Sequence, residues 1–559
     1  MTCAHSPLYA AIASARDRDA VLFTFVQTRA DGLRETPVRL AEILVDVERA
    51  ACALARSFDV RPGEPVLLLV AEPRSFLVAF LAVQEAGGIP VPLPSLAETA
   101  SPSALQQRVA GVVADCRARV AIAEDAPRVR ASLGADLVRE LVTLEELMVG
   151  RATPRDVAVS PSDAAFVQYT SGSTGSPKGV VITHAQLLAN CAAISAVLRP
   201  DDRVVSWLPL HHDMGLIGGL LSTLVGGRAL FILTPADFVL NPLGWLRVVV
   251  ATKASVTVAP PMAYALCTRR ARRFTGDLSS LRVALVGSEP VDATLLGGFL
   301  DAYAEHGVRA DVFLPVYGLA EATLMVTAPP PGERFRVDVV SRRALVGERA
   351  ARAWAPGTEG DEPAAFVSNG APILGHTVTI VDPATGAPLA ERLVGEIVVE
   401  GPCVAARYFT EAIGAPLRTG DLGYVADGHL YVAGRIKDVV IVAGRNYAAS
   451  DLESSLVQGT RVREGRVAAF PVRRHAGHEG VGIAAEVVTP GDAADLEQEA
   501  RAVVRAMQAA TGVTPSVVAF LPPRKLPRTT SGKVQRQAVR QAFDDGSLEA
   551  GCTRLFRFD

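Results

Sequence analysis

"VQYTSGSTGSPKGVVITH", residues 167–184, decides how this chain is read. Two apolar runs flank Thr170, Ser171, Gly172, Ser173, Thr174, Gly175, Ser176, Pro177, Lys178 and Gly179. Glycine lets a backbone approach a ligand closely, and the hydroxyls add donors. Successive N–H and O–H groups of this kind suit a polyphosphate, with Lys178 as an added point charge. The stretch is not a Walker A loop, because Pro177 and Gly179 stand where that loop needs Gly before the Lys and Ser or Thr after it. Pro177 also has no N–H to give. A Ser/Gly linker is the plainer alternative, but linkers do not usually carry a Pro-Lys-Gly turn between two strand-like runs.

Upstream, "PVLLLV" reads as a buried strand, "SFLVAFLAVQEAGG" as a helix ending at a glycine, and "IPVPLP" as a short extended piece. "ALQQRVAGVVADCRARVAIAED" adds another helix and strand. Downstream, strands are expected near "RVVSWLPL", "ALFIL", "SVTVAP", "LRVALVGS" and "DVFLPVYG". Apolar strands that lack polar alternation predict parallel sheet covered on both faces. Residues 328–365 interrupt this rhythm with prolines and charges, leaving one short strand candidate at "RVDVV". "HTVTIVD", "VGEIVVEG" and "GHLYVAGR" then read as short strands of a β subdomain. After "GRIKD" a smaller unit follows, with a helix at "DLEQEARAVVRAMQAAT" and a strand at "SVVAFLP". The expected architecture is α/β. A large N-terminal domain (1–434) of two αβ subdomains plus a β subdomain precedes a small mobile α+β C-terminal domain (435–559).

A chain of 559 residues exceeds one domain, and 49% hydrophobic with 21% charged residues is ordinary globular usage. A net charge of -3 with scattered Arg and Lys argues against nucleic acid as a partner. Seven cysteines without a CxxC pair support neither a zinc site nor a disulfide framework and fit a reducing cytoplasm. The N-terminus lacks a basic n-region, so no signal peptide is expected. "MGLIGGLLSTLVGGRALFIL" is interrupted by Arg228 and reads as a buried helix followed by a strand, so no stable membrane insertion is expected.

Further motifs follow the opening loop: "WLPLHHDMGLIGG", "VGSEPV", "VYGLAEATL", "RTGDLGYVADGHLYVAGRIKDVVIVAGRN" and "PRTTSGKVQR". Together, and in this order, they resemble the adenylate-forming superfamily of acyl-CoA synthetases, adenylation domains, luciferases and fatty acyl-AMP ligases. The resemblance runs from about residue 166 to 536. It implies that residues 170–175 and Lys178 hold the phosphates of ATP and that Glu321 and Thr174 hold Mg²⁺. It implies an adenine site at Tyr317, Gly318, Ser288, Glu289 and Pro290, with Asp421 at the ribose hydroxyls and Arg435 reaching the same sugar or a phosphate. Lys533 matches the catalytic lysine that bridges the substrate carboxylate and the α-phosphate, His212 the mouth of the acyl pocket, and Lys437 the hinge. Taken alone, Glu321 and Lys533 would be solvated surface residues. His211, His212 and Asp213 could suggest a metal, but on an extended strand successive side chains point to opposite faces and make poor joint ligands.

Within the superfamily the chain looks most like a fatty acyl-AMP ligase, and residues 328–365 fit the extra insertion of that group; a disordered loop without such a role is the alternative. That insertion implies transfer of a fatty or related acyl group to the phosphopantetheine thiol of an acyl carrier protein in polyketide, nonribosomal peptide or lipid biosynthesis. CoA is the alternative acceptor, and a catalytically silent nucleotide-binding regulator the alternative class. The chain departs from the group at Tyr447, Ala448, Ala449 and Ser450, at His211, where Tyr is commoner, and at Asn369.

Overall fold

The computed structural model describes residues 5–558, except 30–31, 100–101, 135, 150–157, 171–176, 443–444, 457–459, 474–478, 488–492 and 529–533. The largest sheet runs in the order Phe313–Pro315, Val283–Val286, Val256–Ala259, Arg203–Ser206, Ala229–Ile232, Val21–Arg29, Gly32–Arg39. Its short apolar strands pair in parallel and are buried almost throughout, as strands covered on both faces must be. The hairpin Val21–Arg29 with Gly32–Arg39, not anticipated from sequence, adds an antiparallel edge. Arg34, Glu35 and Pro37 on its outer strand keep that edge from recruiting another strand.

A second parallel sheet runs Ile89–Pro92, Pro65–Leu69, Val120–Ala123, Glu140–Val142. Beside it the strands Ala164–Thr170 and Lys178–Thr183 form an antiparallel hairpin. Thr170 and Lys178, on either side of the phosphate-loop candidates 171–176, are the last pair of this hairpin. The β subdomain is a four-stranded antiparallel meander from Thr377–Val381 to His429–Arg435.

The expectation of a weakly patterned segment at 328–365 is corrected. Val337–Ser341 pairs with Pro363–Val367, and helix Arg342–Glu348 lies between them. Val340 and Ala364 pack on Tyr424, Ala426 and Tyr431 of the meander. Asp338 Oδ2 accepts from the Tyr424 hydroxyl at 2.9 Å and from Arg392 at 3.0 Å. The partners that fold this segment lie 54 and 86 residues downstream, so local pattern could not reveal them.

The smaller C-terminal part is built on Val462–Arg473, Glu479–Val487, Val517–Leu521 and Arg554–Arg557. Ala469, Ile483, Ala485, Val518 and Phe520 face the core that includes Leu496 and Val503. Their neighbours Ala468, Phe470, Ala484, Ala519 and Leu521 face Val539 and Leu548 instead. This period-two alternation buries both faces of one sheet. No helix of the described residues is long and apolar enough to cross a membrane.

Candidate active site

In open α/β sheets ligands bind beyond the carboxyl ends of the strands. Ser288, Glu289 and Pro290 follow strand Val283–Val286 there, and Tyr317 and Gly318 follow Phe313–Pro315. Ser288 takes a left-handed φ of 73° at this bend. A Cβ on Gly318 would lie 1.7 Å from the carbonyl oxygen of Leu324, so only glycine fits the turn.

Tyr317 is buried, and its hydroxyl donates to Asp421 Oδ2 at 2.8 Å. Arg435 Nε donates to the other oxygen, Oδ1, at 2.5 Å. Asp421 and Arg435 are paired across the last two strands of the meander, which explains why residues fourteen apart meet. Burial, reinforced by Asp421, pushes the Tyr317 hydroxyl well above its ordinary range, so it is a neutral donor. Asp421 in turn holds the Arg435 guanidinium above the usual arginine value. The three side chains form one continuous donor–acceptor chain along the wall that carries Gly318.

A second chain of contacts links Lys178 to Glu321. Lys178 pairs with Glu411 and sits 5.0 Å from the centre of the Tyr408 ring. The Tyr408 hydroxyl donates to Glu321 Oε1 at 3.1 Å. Lys178 is therefore engaged by Glu411 at the last described pair of the hairpin, opposite Thr170. The other Glu321 oxygen has no partner among the described residues, which leaves a hard oxygen donor suited to a divalent cation. A Cβ on Gly179 would lie 2.7 Å from the Tyr169 ring, and that tyrosine donates to Asp115 at 2.6 Å. Asp115 also accepts from Thr410 at 3.2 Å, so the strand entering the loop is tied to both neighbouring subdomains.

His211 and His212 correct the strand expectation. They lie in a turn, and their rings approach to 4.4 Å between centroids. His211 is buried, and its Nδ1 lies 3.4 Å from Glu98. Burial raises the Glu98 carboxyl, but the hydrogen bond and charge of His211 outweigh it and draw it below the ordinary value. Asp213 caps the helical segment Met214–Leu221 by accepting from the Met214 N–H at 2.7 Å. That segment has π geometry, and a Cβ on Gly215 would stand 2.2 Å from the Pro209 carbonyl oxygen. Among the described residues no group of three or more His, Cys, Asp or Glu side chains could hold a metal.

The structure thus joins Tyr317, Asp421 and Arg435, and separately Lys178 and Glu321. Ser171, Gly172, Ser173, Thr174 and Gly175 lie outside the described residues, as does Lys533. Arg528 and Val534, which flank the Lys533 segment, form an antiparallel bridge. Burial and the nearby Arg466 push Arg528 down, while Glu289 and Glu486 act against them. Sequence reasoning missed Tyr408, Glu411 and Glu98. The only signal was a Tyr and an acid in the otherwise plain turn "ARYFTEAIG".

The chain matches the model of the AMP-binding enzyme family over residues 17–409. It is 32% identical to the long-chain-fatty-acid–AMP ligase FadD26 of Mycobacterium marinum, over 93% of this chain and 94% of that protein. It is 29% identical to the medium-chain-fatty-acid–[acyl-carrier-protein] ligase JamA of Moorena producens, over 90% of each. A solved structure from a study of fatty acyl-adenylate ligases of E. coli and L. pneumophila matches with a TM-score of 0.87 at 32% identity, covering 97% of this chain and 98% of that one. With a buried acceptor chain at the carboxyl edge of its parallel sheet, the chain belongs to the AMP-binding enzyme family.

Proposed function

We propose that this chain is a fatty acyl-AMP ligase: it activates a fatty or related carboxylic acid with ATP, releasing pyrophosphate, and passes the acyl group to the phosphopantetheine thiol of an acyl carrier protein. The observation that carries the reading is the Tyr317–Asp421–Arg435 chain, a buried carboxylate oriented by two donors beside the glycine wall. Such a carboxylate accepts from ribose hydroxyls, and the Gly318 turn leaves the ring of an adenine in contact with backbone. The relatives named for AMP ligation and for carrier-protein ligation support the acceptor.

In this reading residues 170 to 178 hold the phosphates of ATP. The acid enters past His212, and its carboxylate oxygen attacks the α-phosphorus as pyrophosphate leaves. Lys533 offsets the negative charge that builds on the phosphoryl oxygens. Glu321 and Thr174 would hold Mg²⁺, which when bound neutralises phosphate charge. The thiol of the carrier then attacks the acyl carbonyl carbon and AMP departs with the electrons of the C–O bond. We place the boundary between the large and the small domain at 434/435, with Lys437 as the hinge between the two half-reactions. The cytoplasm, which supplies ATP and carrier proteins, is the proposed compartment.

The test incubates the full chain with ATP, Mg²⁺ and fatty acids of graded length, with either CoA or a phosphopantetheinylated carrier protein. Acyl-AMP followed by acyl-carrier, with little acyl-CoA, is the expected result. Acyl-CoA as the main product would overturn the carrier reading. Absence of ATP–pyrophosphate exchange with every acid would leave a nucleotide-binding regulator. Removing Mg²⁺ with EDTA should abolish exchange.

A further inference from the structure

Three charged side chains bind the residues just after the proposed hinge to the helix that follows the Lys533 segment. Arg536 is the first residue of helix Arg536–Asp544, three positions beyond Lys533. Its guanidinium grips Glu453 with two arms, Nε to Oε1 at 2.6 Å and Nη2 to Oε2 at 2.7 Å. The third arm, Nη1, donates to Asp438 Oδ2 at 2.7 Å. A planar cation held by three directed bonds is fixed in both position and orientation.

Each partner is itself anchored. Glu453 belongs to helix Ala449–Ser454 and accepts the Ala469 N–H at 3.0 Å, which seats it against the small domain's sheet. Asp438 ends the turn Ile436–Asp438 beside Lys437. The two ends of segment 529–533 are drawn together by the Arg528–Val534 bridge and by the Gln535 N–H donating to the Pro527 carbonyl at 2.9 Å. Burial works against the charge of Arg536, yet Glu453 and Asp438 outweigh it and hold the guanidinium above the ordinary arginine value. One cation facing two carboxylates cannot be removed without leaving them to repel each other.

We propose that Arg536 is the positioning residue for Lys533: it fixes the helix that follows the lysine segment against Glu453 and Asp438, so that the ammonium reaches the α-phosphate in register when acyl-AMP forms. The inference rests on the role given to Lys533 above. Every member of the lock lies at or beyond residue 438, so it travels with the small domain and bears on the first half-reaction, not on thiol attack. A misplacement of an ångström at a reacting group costs up to about a hundredfold in rate.

The test compares the full-length parent with Arg536→Lys, Asp438→Asn and Lys533→Ala. Acyl-AMP formation is followed by ATP–pyrophosphate exchange, and transfer from pre-formed acyl-AMP to the phosphopantetheinylated carrier is followed separately. Arg536→Lys should slow exchange by about tenfold or more at saturating ATP while transfer stays within about twofold. Asp438→Asn, which keeps the shape and a neutral acceptor, should show the same split at about threefold. Adding Arg536→Lys to Lys533→Ala should cause no further loss, since residues acting as a unit are not additive. Parent-like exchange in Arg536→Lys, a parallel fall in both half-reactions, or multiplicative losses with Lys533→Ala would each overturn the proposal. If thermal melting shows Arg536→Lys unfolded, Asp438→Asn decides by the same criteria. Parent-like exchange in Lys533→Ala would instead sink the role of the lysine itself, a failure distinct from that of Arg536.

Discussion

The Tyr317–Asp421–Arg435 wall and the folded segment at 328–365 are fastened by opposite means. Along the wall, Asp421 is 4% exposed and each of its oxygens is matched to a donor, so the groups are in place before a ligand arrives. The folded segment also has a buried foot on Tyr424 and Tyr431, but it reaches the small domain through Arg342 and Asp451, 3.2 Å apart with side chains 30% and 33% exposed. A buried, doubly satisfied carboxylate resists displacement, whereas a partly exposed ion pair contributes at most about 1 kcal/mol.

Substitutions that grade from one region to the other test this contrast. Asp421→Asn places an amide against two donors and removes the charge facing Arg435; it should lower kcat/KM for ATP on the order of a hundredfold, equivalent to about 3 kcal/mol. Pyrophosphate exchange at varied ATP measures it, and a change below tenfold would mean the wall is less decisive than its burial suggests. Tyr408→Phe removes the one side-chain donor to the Glu321 carboxylate among the described residues and should cost about 1 kcal/mol, roughly fivefold in exchange, with an unchanged melting temperature. Arg342→Ala should be smallest. Acyl-AMP formation stays within about twofold, and the ratio of acyl-CoA to acyl-carrier rises by no more than about fivefold, the span of a pair worth about 1 kcal/mol. A larger rise would show that the exposed pair carries more of the domain coupling than its solvation allows.

How far sequence reached follows the same physical division. The parallel strands are continuous apolar runs, and the helix Pro73–Glu85 ends beside Gly87 at a φ of 81°, so local pattern specified them. Lys178, Tyr317, Glu321, Asp421 and Arg435 were singled out because short motifs place them. Tyr408 and Glu411 were not found, because what marks them is a fold that carries residue 411 to residue 178 across 233 positions. The histidine pair was misjudged for a related reason: a strand was expected near "RVVSWLPL" and the histidines were read as extended, whereas the strand stops at Ser206 and the chain turns. The segment at 328–365 looked weakly patterned because its folding partners lie in later strands.

The clasp between Lys178 and Glu411 also sets a clock on biosynthesis. The two residues are 233 positions apart, and ribosomes add about 5–20 residues per second, so the hairpin that carries Lys178 waits on the order of 10 to 50 s for its partner. Throughout that interval Tyr408, Glu411 and Thr410 have not been made, and Val167, Tyr169 and Val181 can pack only against the first subdomain. Newborn chains therefore carry Lys178 without its carboxylate partner until the residues of the β subdomain have begun to be made.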